Sequence, residues 1–486
     1  MPTSPSDRTP PASGFEFFAS AAGRRWLEAE VLPAYLPRCR WFGGKARELQ
    51  GIALGEVIAF AEGSALVLVQ VRYASGEPEL YQIPLLRLVR AEAQPLLAEH
   101  PSALIAEDDG MVLIDALFSA EFRRALWQRV TGSAAAPPES RVLSAEQSNS
   151  SLLYGETVFV KLFRRIETGI NPDAEILRFL TEERKFPHVP RFIGALEWEW
   201  PVGTGDTALL AIAIAAVPNR GDAWSFTLAE LKEFYQRVGS ASPEKEAGIR
   251  ALVGEGMLSR ITQLGTRTGE LHVAFAGATS NPDFAPEPLV AADLARLQQS
   301  VRQLWAEVTS STPAADAAEL AAATPLVDQR ARELTTRSIA ATKTRTHGDY
   351  HLGQVLETGA DFVIIDFEGE PARSLAERRR KQSPVRDVAG MLRSLHYAAH
   401  AARSEDSERA RLWAEAWTEL TTCTFLEAWC AATTGASFRP AAEADLDFLL
   451  SAFLLEKVIY EIRYELNNRP TWLAIPLRGL QRVLAG

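Results

Sequence analysis

Cysteine is scarce in this chain, with three among 486 residues: Cys39, Cys423 and Cys430. None stands in a Cys-x-x-Cys or Cys/His ligand pattern, which removes zinc ribbons and paired redox thiols from consideration. Cys423 and Cys430 fall two turns apart on one predicted helix and are poorly placed to bridge, so a reducing cytoplasm is the expected compartment. Long apolar runs are missing too. The longest, Ala208 to Val217 and Phe448 to Leu455, are far too short for a bilayer helix, so no membrane partner is expected. The polar, proline-rich start, Met1-Pro2-Thr3-Ser4-Pro5-Ser6, lacks the apolar centre of a signal peptide. Positive charge is in deficit: 51 Lys and Arg against 62 Asp and Glu leave a net charge of -11. That balance repels phosphate backbones, so no nucleic-acid partner is expected. A local lysine and a metal ion can still hold an anionic nucleotide.

Neither common phosphate-loop consensus is present. Gly43-Gly44-Lys45 has no glycine five places before Gly44 and is followed by Ala46 where Ser or Thr is needed. No Gly-x-Gly-x-x-Gly occurs. What remains is an ordinary globular composition, 47% hydrophobic and 23% charged, in a chain long enough for two or three domains. After a polar lead-in, apolar residues recur at helical spacing from Phe17 to Leu36. Ile52 to Phe60, Ala65 to Tyr73 and Glu79 to Leu88 read as strands, a helix follows around Leu117 to Val130, and Gly132 to Pro138 reads as a linker. Ala208 to Val217 is a continuous apolar strand, and helical periodicity dominates from Thr227 to Ala341.

One stretch organises the rest. Thr346-His347-Gly348-Asp349-Tyr350-His351-Leu352-Gly353-Gln354 is followed by the apolar run Phe362 to Ile365, which ends in Asp366-Phe367-Glu368. An acid, an amide and a second acid punctuate two short strand-like segments, the layout of a phosphotransferase catalytic loop with its metal-binding partner. Asp349 can accept the proton of an attacking hydroxyl. The oxygens of Gln354 and Asp366 are hard ligands suited to Mg2+ on the phosphates of ATP.

Upstream, Lys161 stands in the otherwise apolar strand Thr157 to Leu162. Burying it needs a negative partner, so it is the candidate for holding nucleotide phosphates, with Glu175 in the helix Asp173 to Leu180 as its ion pair. Ser148, Asn149 and Ser150 lie in the turn after Glu146-Gln147, where hydroxyls and backbone N–H groups can cradle phosphate. Val217 ends the apolar strand at the expected hinge, with backbone groups available to adenine. Asp387, at the start of a later helix, can brace the catalytic loop, and His272 reads as a packed helix histidine. Near the C-terminus, Tyr460 to Trp472 sets aromatic faces beside Glu, Asn and Arg. That set suits a sugar, or the wet face of an amphipathic helix.

These pieces together resemble the bacterial maltokinases, including those fused to trehalose synthase. The resemblance is carried by His347 to Gln354, Asp366 to Pro371, Trp41 to Lys45, Lys161 to Arg165, Asn171 to Glu175, Val217 to Asp222 and Tyr464 to Pro470. It implies an α+β, bilobal, protein-kinase-like fold similar to that of aminoglycoside phosphotransferases. Residues 1–105 would form an N-terminal β-rich cap, 106–217 a nucleotide-binding subdomain and 218–486 a helical lobe with the catalytic loop and sugar site. It implies transfer of the ATP γ-phosphate to the anomeric hydroxyl of maltose, giving maltose 1-phosphate for α-glucan synthesis. By position, Asp349 would be the base, Gln354 and Asp366 the magnesium ligands, and Lys161 with Glu175 the ion pair. His347, Tyr464, Asn468, Arg469 and Trp472 would contact the disaccharide. The chain shows no glycosidase barrel, so a trehalose synthase would be a separate partner. Two alternatives stay open: the same fold acting on glucosamine or an aminoglycoside, for which Glu461 and Glu465 supply acidic groups, and a non-catalytic pseudokinase subunit.

Overall fold

The computed structural model describes residues 14–143, 148–238, 246–277, 279–403 and 407–485. The chain forms two compact units, one of Met1–Glu175 with Arg191–Ala216 and the other of Ile176–Pro190 with Val217–Gly486.

The first unit holds two antiparallel sheets. In chain order its strands are β1 (Leu49–Ala59), β2 (Ser64–Tyr73), β3 (Glu79–Val89), β4 (Leu104–Asp108), β5 (Met111–Asp115), β6 (Ser140–Leu143), β7 (Ser150–Tyr154), β8 (Val158–Leu162), β9 (Arg165–Ile166), β10 (Phe192–Glu199) and β11 (Thr207–Ala215). The first sheet runs β1-β2-β3-β5-β4 with β9 against β3, and the second runs β10-β11-β8-β7-β6. The first sheet therefore continues past residue 105 as far as Asp115. At its centre Ala65 to Val69 are all buried, so β2 reads as one apolar run, because both of its faces are covered. Phe18, Leu27, Leu32 and Leu36 from the N-terminal helical segment pack into the same core.

Polar contacts knit the two sheets together. The Gln82 side-chain amide donates to the Phe163 and Leu210 carbonyls. The Arg164 guanidinium pairs with Asp115 at 2.6 Å, both side chains being buried, donates to Ser150 Oγ at 2.7 Å and lies over the Trp41 ring.

The second unit is mainly helical, with the short pairs β12 (Glu287–Pro288) with β13 (Thr342–Lys343) and β14 (Val355–Glu357) with β15 (Phe362–Ile364). Its axis is the helix Val385–Ala401, buried from Val385 to His400 except at Arg386. Around it pack Trp413, Trp417 and Phe425 of Glu408–Ala432, and Leu449, Val458 and Ile462 of Glu443–Asn468. Gly390 lets this helix meet the loop His347–Gln354: a Cβ there would lie 2.6 Å from the Tyr350 carbonyl oxygen, closer than any side chain tolerates.

Candidate active site

The loop His347–Gln354 is held by hydrogen bonds to its backbone. Gly348 takes φ +87°, a left-handed conformation that glycine adopts without strain. The N–H groups of His347 and Gly348 donate to the two oxygens of Asp387 at 2.8 and 3.0 Å. Asp387 is itself fixed by His272 Nε2 at 3.3 Å, and His272 Nδ1 accepts from the Trp429 indole at 2.9 Å. His272 is thus a packed, tautomer-locked histidine, and Asp387 is the brace. Burial pushes the Asp387 carboxyl up, but His272 and the loop donors outweigh it and hold it ionised below the usual range.

His347 does not face an acceptor sugar as the sequence suggested. It is 1% exposed, wedged between the rings of Tyr350 and Phe367. Its Nε2 donates to the Ile365 carbonyl at 2.9 Å, leaving Nδ1 to receive the Asp349 N–H at 3.4 Å. Its polarity serves the loop. Tyr350 completes the frame through a 2.9 Å contact with Thr268.

That frame presents the Asp349 carboxylate to Lys457, whose Nζ lies 3.3 Å from Asp349 Oδ1 and 3.2 Å from Glu370 Oε1. Burial alone would lower the lysine's pKa, yet the two carboxylates raise it well above its ordinary value and keep it charged. Glu370 in turn meets Arg373 at 2.5 Å and Arg386 at 3.5 Å. Burial would raise its carboxyl, but these three cations hold it far below the usual range. His351 receives the Gly353 N–H on Nδ1 at 3.1 Å and turns Nε2 to within 4.0 Å of Asp349 Oδ2. Burial keeps that imidazole below its ordinary pKa. Neither Lys457 nor Glu370 was among the residues the sequence marked for the site. The available signal was a lysine midway along an otherwise buried helical stripe.

Gln354 and Asp366 do come together. The Gln354 amide nitrogen donates to Asp366 Oδ2 at 2.8 Å, and Asp366 takes φ +66°, strained for a residue with a Cβ. Carboxylate oxygens of Asp366 and Glu368 lie within 4.8 Å of one another. Two carboxylates and an amide carbonyl make an all-oxygen donor set of the kind Mg2+ takes, and Glu368 joins Asp366 and Gln354 as a candidate for it.

In the first unit, Lys161 lies on β8, between β7 and β11, and is 9% exposed. A central strand excludes a solvated edge lysine. Its Nζ is 3.4 Å from Asp173 Oδ2, a partner in the same first turn as the expected Glu175 and not foreseen. Glu175 is half-buried in the helix Pro172–Arg178. Ser148 and Asn149 precede β7, and Ser150 begins it with its hydroxyl bound by Arg164. Glu146 and Gln147 lie outside the described residues. Val217 opens the second unit, its carbonyl accepting from Asn219 at 2.8 Å.

The remaining candidates line the exposed end of helix 443–468. Tyr464 is 42% exposed, Asn468 Nδ2 donates to the Tyr464 carbonyl, and Arg469 lies over the rings of Tyr464 and Trp472. Lys457, Tyr464 and Asn468 are spaced seven and four apart and share one face of the helix. At 1.5 Å per residue, Tyr464 is about 10 Å and Asn468 about 16 Å beyond Lys457 along the axis. The acidic groups between them are occupied: Glu461 pairs with Arg393 at 2.7 Å and Glu465 with Arg469 at 2.7 Å.

Residues 35–118 match the family model described as the maltokinase N-terminal cap domain. The glucosamine kinase of Streptacidiphilus jiangxiensis is 26% identical over 446 residues, covering 89% of this chain and 91% of that protein. The glucosamine kinase of Mycolicibacterium smegmatis is 26% identical over 355 residues, covering 71% of this chain and 79% of its own. A solved glucosamine kinase in complex with glucosamine, ADP and inorganic phosphate superposes with a TM-score of 0.64 at 23% identity, over 89% of this chain and 94% of that one. The fold is α+β and phosphotransferase-like, with sheets in the N-terminal region and helices in the C-terminal part. Among the described residues, no helix is long and apolar enough to cross a membrane.

Proposed function

We propose that this sugar kinase moves the γ-phosphoryl group of ATP to the anomeric hydroxyl of maltose, giving maltose 1-phosphate and ADP. The acceptor oxygen bonds to phosphorus as the bond to the β-phosphate oxygen breaks, and its proton passes to Asp349. Lys457 fixes the Asp349 carboxylate through its 3.3 Å contact, and Lys161 offsets phosphate charge on the nucleotide. Asp366, Gln354 and Glu368 would hold Mg2+, which when bound neutralises charge on the transferring group.

The observation that carries the acceptor is the helix 443–468. Positions 457 and 464 lie about 10 Å apart along its axis, a span suited to two linked pyranose rings with the reducing end at Asp349. The match of residues 35–118 to the maltokinase cap supports the same reading. The product would feed cytoplasmic α-glucan synthesis from trehalose, with a trehalose synthase as the neighbouring enzyme.

The glucosamine kinase relatives favour a second reading, in which a single amino sugar is the acceptor. An ammonium group taken up at Glu461 would displace Arg393, whose side chain is buried, and leave that guanidinium unpaired. Incubating the protein with ATP, Mg2+ and either maltose or glucosamine separates the two, with Asp349→Asn as the blank. Phosphorus NMR should show a signal coupled to the anomeric proton of maltose. Turnover of glucosamine with a larger kcat/KM would replace maltose by the amino sugar.

A further inference from the structure

A second polar cluster lies in the helical unit, formed by side chains that the transfer reaction does not use. His396 and His400 stand one turn apart on helix 385–401, each 3% exposed, with ring centroids 4.4 Å apart. Glu415 of helix 408–432 faces both: its Oε1 lies 2.9 Å from His400 Nε2 and 3.7 Å from His396 Nε2. One ligand atom from each of the three residues lies within 4.8 Å of the others.

Both ring nitrogens of His396 and Nδ1 of His400 are buried with no hydrogen-bond partner among the described residues. A neutral imidazole carries one N–H and one lone pair, so burying a whole ring with neither satisfied is unfavourable. A packed core would ordinarily replace such a residue by leucine.

We propose that His396, His400 and Glu415 form a binding site for a single Zn2+-type ion. Donors held about 2.1 Å from a tetrahedral ion lie about 3.4 Å from one another, and the two nitrogen-to-oxygen separations fall on either side of that value. Two imidazoles one helical turn apart with one carboxylate are a borderline-soft donor set, distinct from the all-oxygen group around Asp366. Arg482 engages the other carboxylate oxygen, Oε2, at 2.8 Å, which fixes Glu415 and leaves Oε1 turned to the histidines. A cavity of about 230 Å³ that His396 borders together with Arg393, Thr418, Ser451 and Arg482 brings open space up to one of the three ligands. The bound ion would clamp helix 385–401 to helix 408–432, stiffening the element from which Asp387 braces the catalytic loop.

The test uses the full-length protein, stripped with a chelator and titrated with Zn2+ against a chromophoric competitor. About one equivalent should bind to wild type, and Co2+ should give the intense visible bands of four-coordinate nitrogen and oxygen ligation. His396→Leu and Glu415→Gln should abolish both signals, whereas Asp366→Asn should keep them. Metal-free His396→Leu should melt no lower than metal-free wild type, since leucine fills the space without stranded nitrogens, so loss of binding there is not loss of fold. Zn2+ should raise the wild-type melting temperature and leave that of His396→Leu unmoved. Failure of wild type to bind Zn2+ or to give the cobalt bands overturns the site, as does an equivalent that survives His396→Leu or disappears with Asp366→Asn.

Discussion

Lys457 illustrates how one side chain governs another. Its ammonium group bridges Asp349 and Glu370, so replacing it with methionine keeps the helix and removes the tether. A carboxylate displaced by about 1 Å costs on the order of 100-fold in rate. We therefore expect Lys457→Met to lower kcat by about that factor, with the KM for ATP nearly unchanged. Steady-state kinetics decide it, and an unaltered kcat would remove Lys457 from the positioning machinery. Glu370 makes a pH prediction. Its folded-state carboxyl titrates below the ordinary value of 4.5, so on acidification the unfolded chain takes the proton first. The stabilisation is complete above that value and is lost as pH falls towards the folded one. Glu370→Gln should be less stable at pH 7 and show a flatter decline between pH 5 and 3 (about one proton's dependence), measured by denaturant titration. The meeting of Gln354 with Asp366 was legible because it follows from local spacing within one loop and hairpin. Lys457 was not, because its contact with Asp349 is made across 108 positions. His347 was misread because a polar residue in a functional motif can serve the backbone as readily as a ligand.

Among the elements, helix 385–401 shapes the site from behind. At Gly390 a methyl group would sit 2.6 Å from the Tyr350 carbonyl. Gly390→Ala should therefore cost roughly 1–3 kcal/mol of stability and also reduce kcat, because the relieving motion shifts the residue next to Asp349. A thermal melt and an activity assay on the same preparation test this, and a change in neither would show that the contact relaxes elsewhere. On the proposed reading helix 443–468 serves the acceptor. Tyr464→Ala should raise the KM for maltose about tenfold, equivalent to roughly 1.4 kcal/mol, while kcat moves little, the pattern of lost uniform binding. An unchanged KM would return Tyr464 to the role of a solvated helix face. The strands β1 to β3 were legible from their strand-like apolar segments and the turn residues between them. The aromatic end of this helix was not resolved by composition, since a sugar-stacking face and a wet amphipathic face use the same residue types.

At the level of the whole chain, the sequence suggested a linker at Gly132 to Pro138, inside the expected nucleotide-binding subdomain. The polypeptide does pass there without regular structure, yet the sheets on either side belong to one compact unit. The reason lies outside the linker. Arg164 and Asp115 form a buried pair between the sheets, and Gln82 bonds to carbonyls of the second sheet from the middle of the first. These are single polar residues with distant partners, which periodicity does not reveal. Asp115→Ala should strand the Arg164 charge and cost roughly 3–5 kcal/mol. Loss of that size should be visible in denaturant unfolding, and a change below about 1 kcal/mol would mean water replaces the carboxylate.

The length of helix 443–468 has a further consequence. On the proposed reading Lys457 and Tyr464 ride on the same rigid rod, so the gap between the reacting end of the sugar and its far grip would be set by helical pitch and not by loop movement. The rod would behave as a gauge. A one-ring sugar would leave the tyrosine uncovered, whereas a third ring would still meet the last turn at Asn468, so trimming should be penalised more heavily than extension.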